Sequence, residues 1–316
     1  MIDIPFRVLL ADYFSHSILL VDVPTGAIQQ EIPYPAALKP SAVLITADKQ
    51  TAYIPCVKNG GKGSLFALNL NTFSLYELPV QLPHPAQFTL SPGGQRAYLA
   101  DPGGSLYGLD LISMELTLWG QMPEDASCAG IAADASQIYT VWEHPAGGTL
   151  AVFNRQGILK AQQSLSGVPT AITLTPDGYL IIPYTASAGT GEGAAILRAV
   201  DSIQGNPELI TVQCPDCVKG LRAYPSQAVM APNGTSLYLV NEDSSSLSVV
   251  SMPAATVTGC IPIGHSLSQI AVSADGRFAV GASNWFADLC LIDLMNERLV
   301  SLTDTPRELS GFIAAV

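Results

Sequence analysis

Few residues in this sequence combine the type and spacing that chemistry needs. Glu143 and His144 are adjacent and supply a carboxylate and an imidazole, the groups that most often move protons near neutral pH. Arg222 is suited to hold a carboxylate or to stabilise developing negative charge, and Asp12 is a further candidate acid or base. The run Asn241-Glu242-Asp243 offers hard oxygen atoms to calcium, yet lacks the spaced carboxylates of a calcium loop. Cys214-Pro215-Asp216-Cys217 has the spacing of a redox pair, a disulfide or half a zinc site. Zinc needs two more ligands and no second Cys-x-x-Cys exists, so a plain turn is the simplest reading. The sequence holds no Gly-x-Ser-x-Gly elbow, His-Glu-x-x-His helix or Gly-x-x-x-x-Gly-Lys loop. No metal and no cofactor is expected from these patterns.

The elements that must position these residues come from a repeat. A short apolar strand, a turn and a second strand often marked by Tyr recur along the chain. The turns are Thr46-Ala47-Asp48-Lys49, Ser91-Pro92-Gly93-Gly94, Ala132-Ala133-Asp134-Ala135, Thr175-Pro176-Asp177-Gly178, Ala231-Pro232-Asn233-Gly234 and Ser273-Ala274-Asp275-Gly276. Their third positions are 45, 41, 43, 56 and 42 residues apart, close to the period of a four-stranded propeller blade. Pro presets one turn angle, while Asp, Asn and Gly supply side-chain hydrogen bonds or positive φ, so this is hairpin chemistry. Each turn is followed by an apolar strand ending in a polar residue: Leu65 to Asn69, Leu106 to Asp110, Leu150 to Asn154, Ile196 to Asp201, Leu247 to Ser251 and Leu289 to Asp293. Ile18 to Asp22 adds a seventh copy, and the terminal carboxylates and amides are read as caps of the next turn.

The N-terminal copy lacks a first strand, and Gly311 to Val316 forms an apolar strand able to fill that place. Pairing it with Arg7 to Ala11 closes a ring and removes exposed strand edges. The expected fold is therefore all-β: one domain over residues 1–316, a seven-bladed β-propeller of four-stranded blades, closed by the C-terminal strand in the N-terminal blade. The turn motif, the Tyr-marked second strand and the strand-end Asp resemble the YVTN-type propeller repeats, in forms such as Tyr238-Leu239-Val240-Asn241 and Tyr98-Leu99-Ala100-Asp101. The architecture is also similar to lactonase-like seven-bladed propellers.

In such a ring, the loops between second and third strands and the segments leading into the innermost strands share one face, around the mouth of the central channel. Function usually resides in loops held by a rigid scaffold. That face is expected to carry Asp12, Tyr13, His16, Asp101, Trp142, Glu143, His144, Tyr184, Asn241, Glu242, Asn284 and Trp285, with Arg222, Tyr224, Gln87, Gln227 and Gln269 around the innermost strands. Tyr13, Trp142, Tyr184, Tyr224 and Trp285 would form an open aromatic surface. The interval of 56 residues places an insertion near blade five, shared between Ala186 to Gly193 and Gln213 to Pro225.

Lys and Arg total 14 against 26 Asp and Glu, a formal charge of -12 that opposes nucleic acid and anionic lipid as partners. Apolar runs are strand-sized, so no membrane span is expected. Without a basic leader the chain reads as cytoplasmic, or as exported if a leader precedes this N-terminus. The leading functional expectation is a binding or interaction module, with an unknown protein or small-molecule ligand over the channel mouth. The alternative is a lactonase-like hydrolase or isomerase using His144, Glu143, Arg222 or Asp12. A metal-dependent, gluconolactonase-like version would draw on Glu143, Asn241 and Asn284.

Overall fold

The computed structural model describes residues 6–12, 15–58, 61–122, 125–185, 191–203, 210–215, 218–265, 267–283, 289–303 and 311–316. Seven antiparallel sheets are arranged as a propeller. Blade one has the spatial order Ala27–Pro33, Ser17–Asp22, Arg7–Asp12, Gly311–Ala315, so the C-terminal strand is its innermost strand. The pairing runs from Val8 opposite Ala315 to Asp12 opposite Gly311, the closure expected from the sequence. In blades two and five the innermost strand is split, into Leu38–Pro40 with Leu44–Ile45 and Val168–Pro169 with Thr173–Leu174.

Why these residues form this ring is visible in the turns. In blade two, Thr46 Oγ1 accepts the Thr51 N–H at 3.1 Å and donates to Asp48 Oδ1 at 2.6 Å, which also accepts the Gln50 N–H. Ser273, Asp275, Arg277 and Phe278 repeat that arrangement in blade seven. At the ends of third strands, Asn69, Asp110, Asn154 and Asp293 each accept two backbone N–H groups of the following turn through Oδ1. The strand-end residues are thus turn caps, as their position after an apolar run implies. Blade five differs: its third strand ends at Arg198, and Asp201 instead opens a 3-10 turn, Asp201–Ile203. The link between Arg198 and Ile210 therefore takes a share of the insertion that the sequence divided between two other segments.

These caps make stability depend on pH. Hydrogen bonds from Thr46 hold the Asp48 carboxyl below its ordinary value, those from the Ser113 and Ile112 amides do so for Asp110, and those from Ser273 and Arg277 for Asp275. A carboxylate with a lowered folded-state pKa favours folding fully above the unfolded value of about 4, and that contribution is lost as pH falls through the folded value. The melting temperature should therefore be level from neutral pH to about pH 5 and drop progressively below about pH 4. A thermal melt series at fixed ionic strength reads this out.

Seven buried clusters follow the ring, each joining the facing sides of two adjacent blades. One of them joins blades seven and one: Leu10, Leu19 and Val21 pack with Phe278, Val280 and Leu289, and Ile313 of the closing strand is among them. Because both faces of every blade are covered by neighbours, second and third strands are apolar on both faces, as in Ser17–Asp22 and Ser236–Asn241. In six blades the ladder to the outermost strand carries a register shift, a bulge that turns the exposed edge away from regular pairing.

Candidate functional site

The innermost strands line the channel and carry almost no charge. Across Leu38–Pro40, Leu44–Ile45, Gln87–Leu90, Ser127–Ala133, Val168–Pro169, Thr173–Leu174, Pro225–Met230, Gln269–Val272 and Gly311–Ala315 the only Asp, Glu, Lys, Arg or His is Lys39. Their hydroxyl and amide groups instead bond one blade to the next. Thr173 Oγ1 donates to the Ala228 carbonyl at 2.7 Å, and Ser226 Oγ to the Ser268 carbonyl at 3.4 Å. Gln227 Oε1 accepts the Ile270 N–H at 2.7 Å, and one blade on, Gln269 Oε1 accepts the Ile313 N–H at 3.3 Å. Gln227 and Gln269, expected at a ligand site, therefore latch adjacent innermost strands, while the equivalent Gln87 lies half-buried opposite Ala100. Gln227→Leu should cost about 1–3 kcal/mol by leaving the buried Ile270 N–H without an acceptor. A lower urea midpoint with an unchanged slope is the expected signature.

The expected aromatic surface is corrected by burial. Trp142 is fully buried, packed with Tyr98, Leu106 and Ile138 between blades three and four, and its indole N–H donates to Thr140 Oγ1 at 2.6 Å. Tyr184 is buried between blades four and five and accepts a hydrogen bond from Gln213 at 3.1 Å. Asn241 is buried too, donating to Ser246 and Ser248 and accepting from the Cys214 thiol at 3.3 Å. In register, Asp12, Cys56, Trp142, Tyr184 and Asn241 all lie within the last three residues of second strands, opposite Gly311, Pro40, Cys128, Pro169 and Pro225 of the innermost strands. That position points into the space between blades rather than into the channel. Tyr13, Asn284, Trp285 and Cys217 lie outside the described residues.

Asp12, His16, Asp101 and His144 are each engaged locally. The fully buried Asp12 accepts the Ser15 N–H at 2.9 Å, while Tyr34 donates to its backbone carbonyl at 2.7 Å. His16, at φ 51°, packs edge-on against Tyr34 with 6.0 Å between ring centroids. Asp101 caps its own loop, accepting from the Ser105 N–H at 2.9 Å and the Tyr107 hydroxyl at 3.1 Å. His144 Nε2 lies 3.1 Å from Thr149 Oγ1, and its ring lines a cavity of about 250 Å³ with Asp125, Trp142 and Gln162. That cavity lies between blades three and four, and none of the other three nominated catalytic residues lines it.

Sequence reasoning missed Glu192, which organises the approach to blade six. Its Oε1 accepts from Arg222 Nε at 3.0 Å and Nη2 at 2.7 Å, and its Oε2 accepts the Ala223 and Tyr224 N–H groups at 2.7 and 3.1 Å. Burial opposes ionisation of Glu192, but the Arg222 guanidinium and the two amides outweigh it and hold the carboxyl below its usual range. Arg222 is thus paired rather than available as a lone anion clamp. Glu192, Gln213, Cys214, Leu221 and Arg222 line a broad cavity of about 380 Å³. Cys214 is a free thiol, pushed up to about 11 by burial, whereas Cys260 is disulfide-bonded. The Cys-x-x-Cys is therefore not a disulfide through Cys214. Among the described residues no group of three or more His, Cys, Asp or Glu is placed to hold a metal ion.

What remains at the mouth is an acidic patch around one tyrosine. The clamp on Glu192 presents Tyr224 at φ 49° and 39% exposed. The Glu242 N–H bonds to the Tyr224 carbonyl at 3.0 Å, bringing blade six alongside. Burial raises the Tyr224 hydroxyl pKa, and the negative charges of Glu242, Glu143 and Asp243 raise it further. Glu143 comes from blade four, Glu242 and Asp243 from blade six, so carboxylates from separate blades share one field.

With this geometry in view, the comparisons fix the fold and go no further. The chain matches no known protein family and no curated protein. Among solved structures it is similar to the periplasmic gluconolactonase of Pseudomonas aeruginosa, with TM-score 0.74 and 14% identity over 98% of this chain and 99% of that one. A putative 6-phosphogluconolactonase from Bacteroides fragilis gives TM-score 0.74 and 14% identity over 99% and 98%. A functionally unknown protein from Desulfotomaculum acetoxidans gives TM-score 0.74 and 15% identity over 99% of both chains. The likeness to lactonase-like propellers is thus one of architecture. No helix among the described residues is long and apolar enough to cross a membrane.

Proposed function

We propose that this propeller is a binding module whose channel mouth recognises a cationic ligand, an amine or a basic peptide segment. The observation that carries the reading is Tyr224, exposed amid Glu143, Glu242 and Asp243 while the cation acting on it, Arg222, is paired with Glu192. A tyrosine face and several carboxylates attract a cation by quadrupole and charge, and the net charge of -12 steers it inward. The alternative, a lactonase-like hydrolase, draws its support from the shared architecture. Against it, Asp12, His144 and Arg222 are each hydrogen-bonded to separate local partners.

One pair of assays separates the two readings. The binding module should take up hexalysine in a calorimetric titration, with affinity falling at least about tenfold between 50 and 300 mM salt because the contacts are ionic. It should hydrolyse a sugar δ-lactone no faster than buffer, with or without an added divalent ion. Saturable lactone hydrolysis that Arg222→Gln abolishes would establish the enzyme instead. We further infer that the chain works in an oxidising compartment, because Cys260 is disulfide-bonded. Peptide mapping should find Cys260 alkylated only after reduction, and alkylation before it would contradict the inference.

A further inference from the structure

Blade five departs from the repeat at two positions, and both departures face one cavity. Five of the six hairpin turns carry Asp or Asn at their third position. Asp48, Asp134, Asn233 and Asp275 each accept a backbone N–H of their own turn, from Gln50, Ser136, Thr235 and Arg277 respectively. Asp177 accepts none: the Tyr179 N–H goes to Thr175 Oγ1, and no other described group bonds to the Asp177 carboxylate. That carboxylate reaches across to blade six, where a Cβ on Gly234 would lie 2.7 Å from Asp177 Oδ2.

The second departure is at the end of the third strand. In all seven blades the last residue of that strand pairs with the first residue of the second strand. It is Asp, Asn or Ser in six blades and Arg198 in blade five. Arg198 lies over the ring of Tyr179, 4.9 Å from its centroid, and its Nη2 donates to the Tyr179 hydroxyl at 3.3 Å. Among the described residues it makes no ion pair, with Asp177 or with any other carboxylate. Positions that recur in register serve the scaffold, so a charged residue released from that duty is available to a ligand.

Asp177, Tyr179 and Arg198 line a cavity of about 220 Å³ together with Met230, Met252 and Pro253 of blade six. Asp177 and Arg198 are exposed, Tyr179 and Met230 half-buried and Met252 buried, which gives the cavity a charged rim and an apolar floor. We propose that it binds a free α-amino acid with an apolar side chain. Arg198 takes the α-carboxylate, its planar fork already oriented by the Tyr179 ring. Asp177 takes the α-ammonium, and the side chain rests on Met230, Met252 and Pro253, the thioethers being adaptable apolar surfaces. A ligand of one charge would leave either the guanidinium or the carboxylate unmatched, whereas a zwitterion answers both. The volume, below the roughly 300–1,000 Å³ that larger ligands occupy, suits a molecule of one residue's size. The cavity adjoins the end of Pro225–Met230 opposite to Tyr224, so it is separate from the acidic mouth and independent of the function assigned there.

The probe is L-leucine in a calorimetric titration, against 4-methylpentanoate, which keeps the carbon skeleton and the carboxylate but lacks the ammonium. Leucine carries no net charge, so the acidic mouth does not draw it away. It should bind saturably with a Kd of about 0.1–1 mM, as a small ligand on a partly exposed site does. Its affinity should exceed that of 4-methylpentanoate at least about fivefold. Asp177→Asn should bring leucine down to the level of 4-methylpentanoate, and Arg198→Gln should weaken both ligands by at least about fivefold. Both positions are exposed, so both variants should melt with the wild type. No saturable leucine binding by the wild-type protein, equal affinity for the two ligands, or wild-type affinity for leucine in either variant overturns the proposal.

Discussion

Trp142→Ala should destabilise the protein by about 3–5 kcal/mol while leaving hexalysine binding by the folded fraction unchanged. The indole is fully buried, so truncation opens a cavity among Tyr98, Leu106, Cys128 and Ile138 that the two blade faces cannot close. It also removes the donor to Thr140 Oγ1, a hydroxyl in a residue with no exposed surface. Urea unfolding should show a much lower midpoint. Should binding fail while the unfolding free energy stays within about 0.5 kcal/mol of wild type, Trp142 belongs to a ligand site after all.

The second large effect concerns ring closure. Deleting residues 311–316 strips the inner edge from Arg7–Asp12 and removes Ile313 from the cluster joining blades seven and one. A domain this size has a net stability of roughly 5–15 kcal/mol, and losing one strand of one blade should consume most of it. The truncated chain is expected to aggregate or unfold with broad, low-cooperativity melts, since an unpaired apolar edge recruits other chains. Ile313→Ala gives a graded version, expected to cost about 2–5 kcal/mol with the fold retained. A truncated protein melting like the full chain would show that blade one does not need the C-terminal strand.

The sequence exposed the blade count because the turn chemistry is local. Thr46 with Asp48 and Ser273 with Asp275 satisfy backbone groups within five residues, so their signature survives as a short motif at the blade period. The closing strand was legible for a related reason: an apolar C-terminal segment and an N-terminal blade short by one strand specify each other.

The site was far less legible. Alternation of apolar and polar residues normally tells which face is buried, but Gln137–His144 is sandwiched between two blades and carries apolar residues on both faces. Nothing local therefore distinguished the buried Trp142 from an exposed one. Glu192 pairs with Arg222 thirty residues away, across the third and fourth strands of blade five, a contact that leaves no pattern along the chain. Gln227 and Gln269 did leave a signal. They recur 42 residues apart at one position of the repeat, and a residue repeated in register is better explained by blade-to-blade bonding than by a single ligand.

The mouth that emerges is smaller and more acidic than the aromatic surface the loops promised. It consists of Tyr224, held out by the Glu192 clamp, with Glu143, Glu242 and Asp243 around it. Recognition of a cation there is the claim on which the functional account stands. The most direct measurement is fluorescence anisotropy of dye-labelled hexalysine on the wild-type protein and on the combined variant Glu143→Gln, Glu242→Gln, Asp243→Asn, both checked for equal melting temperatures. The account predicts saturable binding by the wild type and a loss of at least about tenfold in the variant, as three attracting charges are removed. Equal affinity in the two proteins would contradict it.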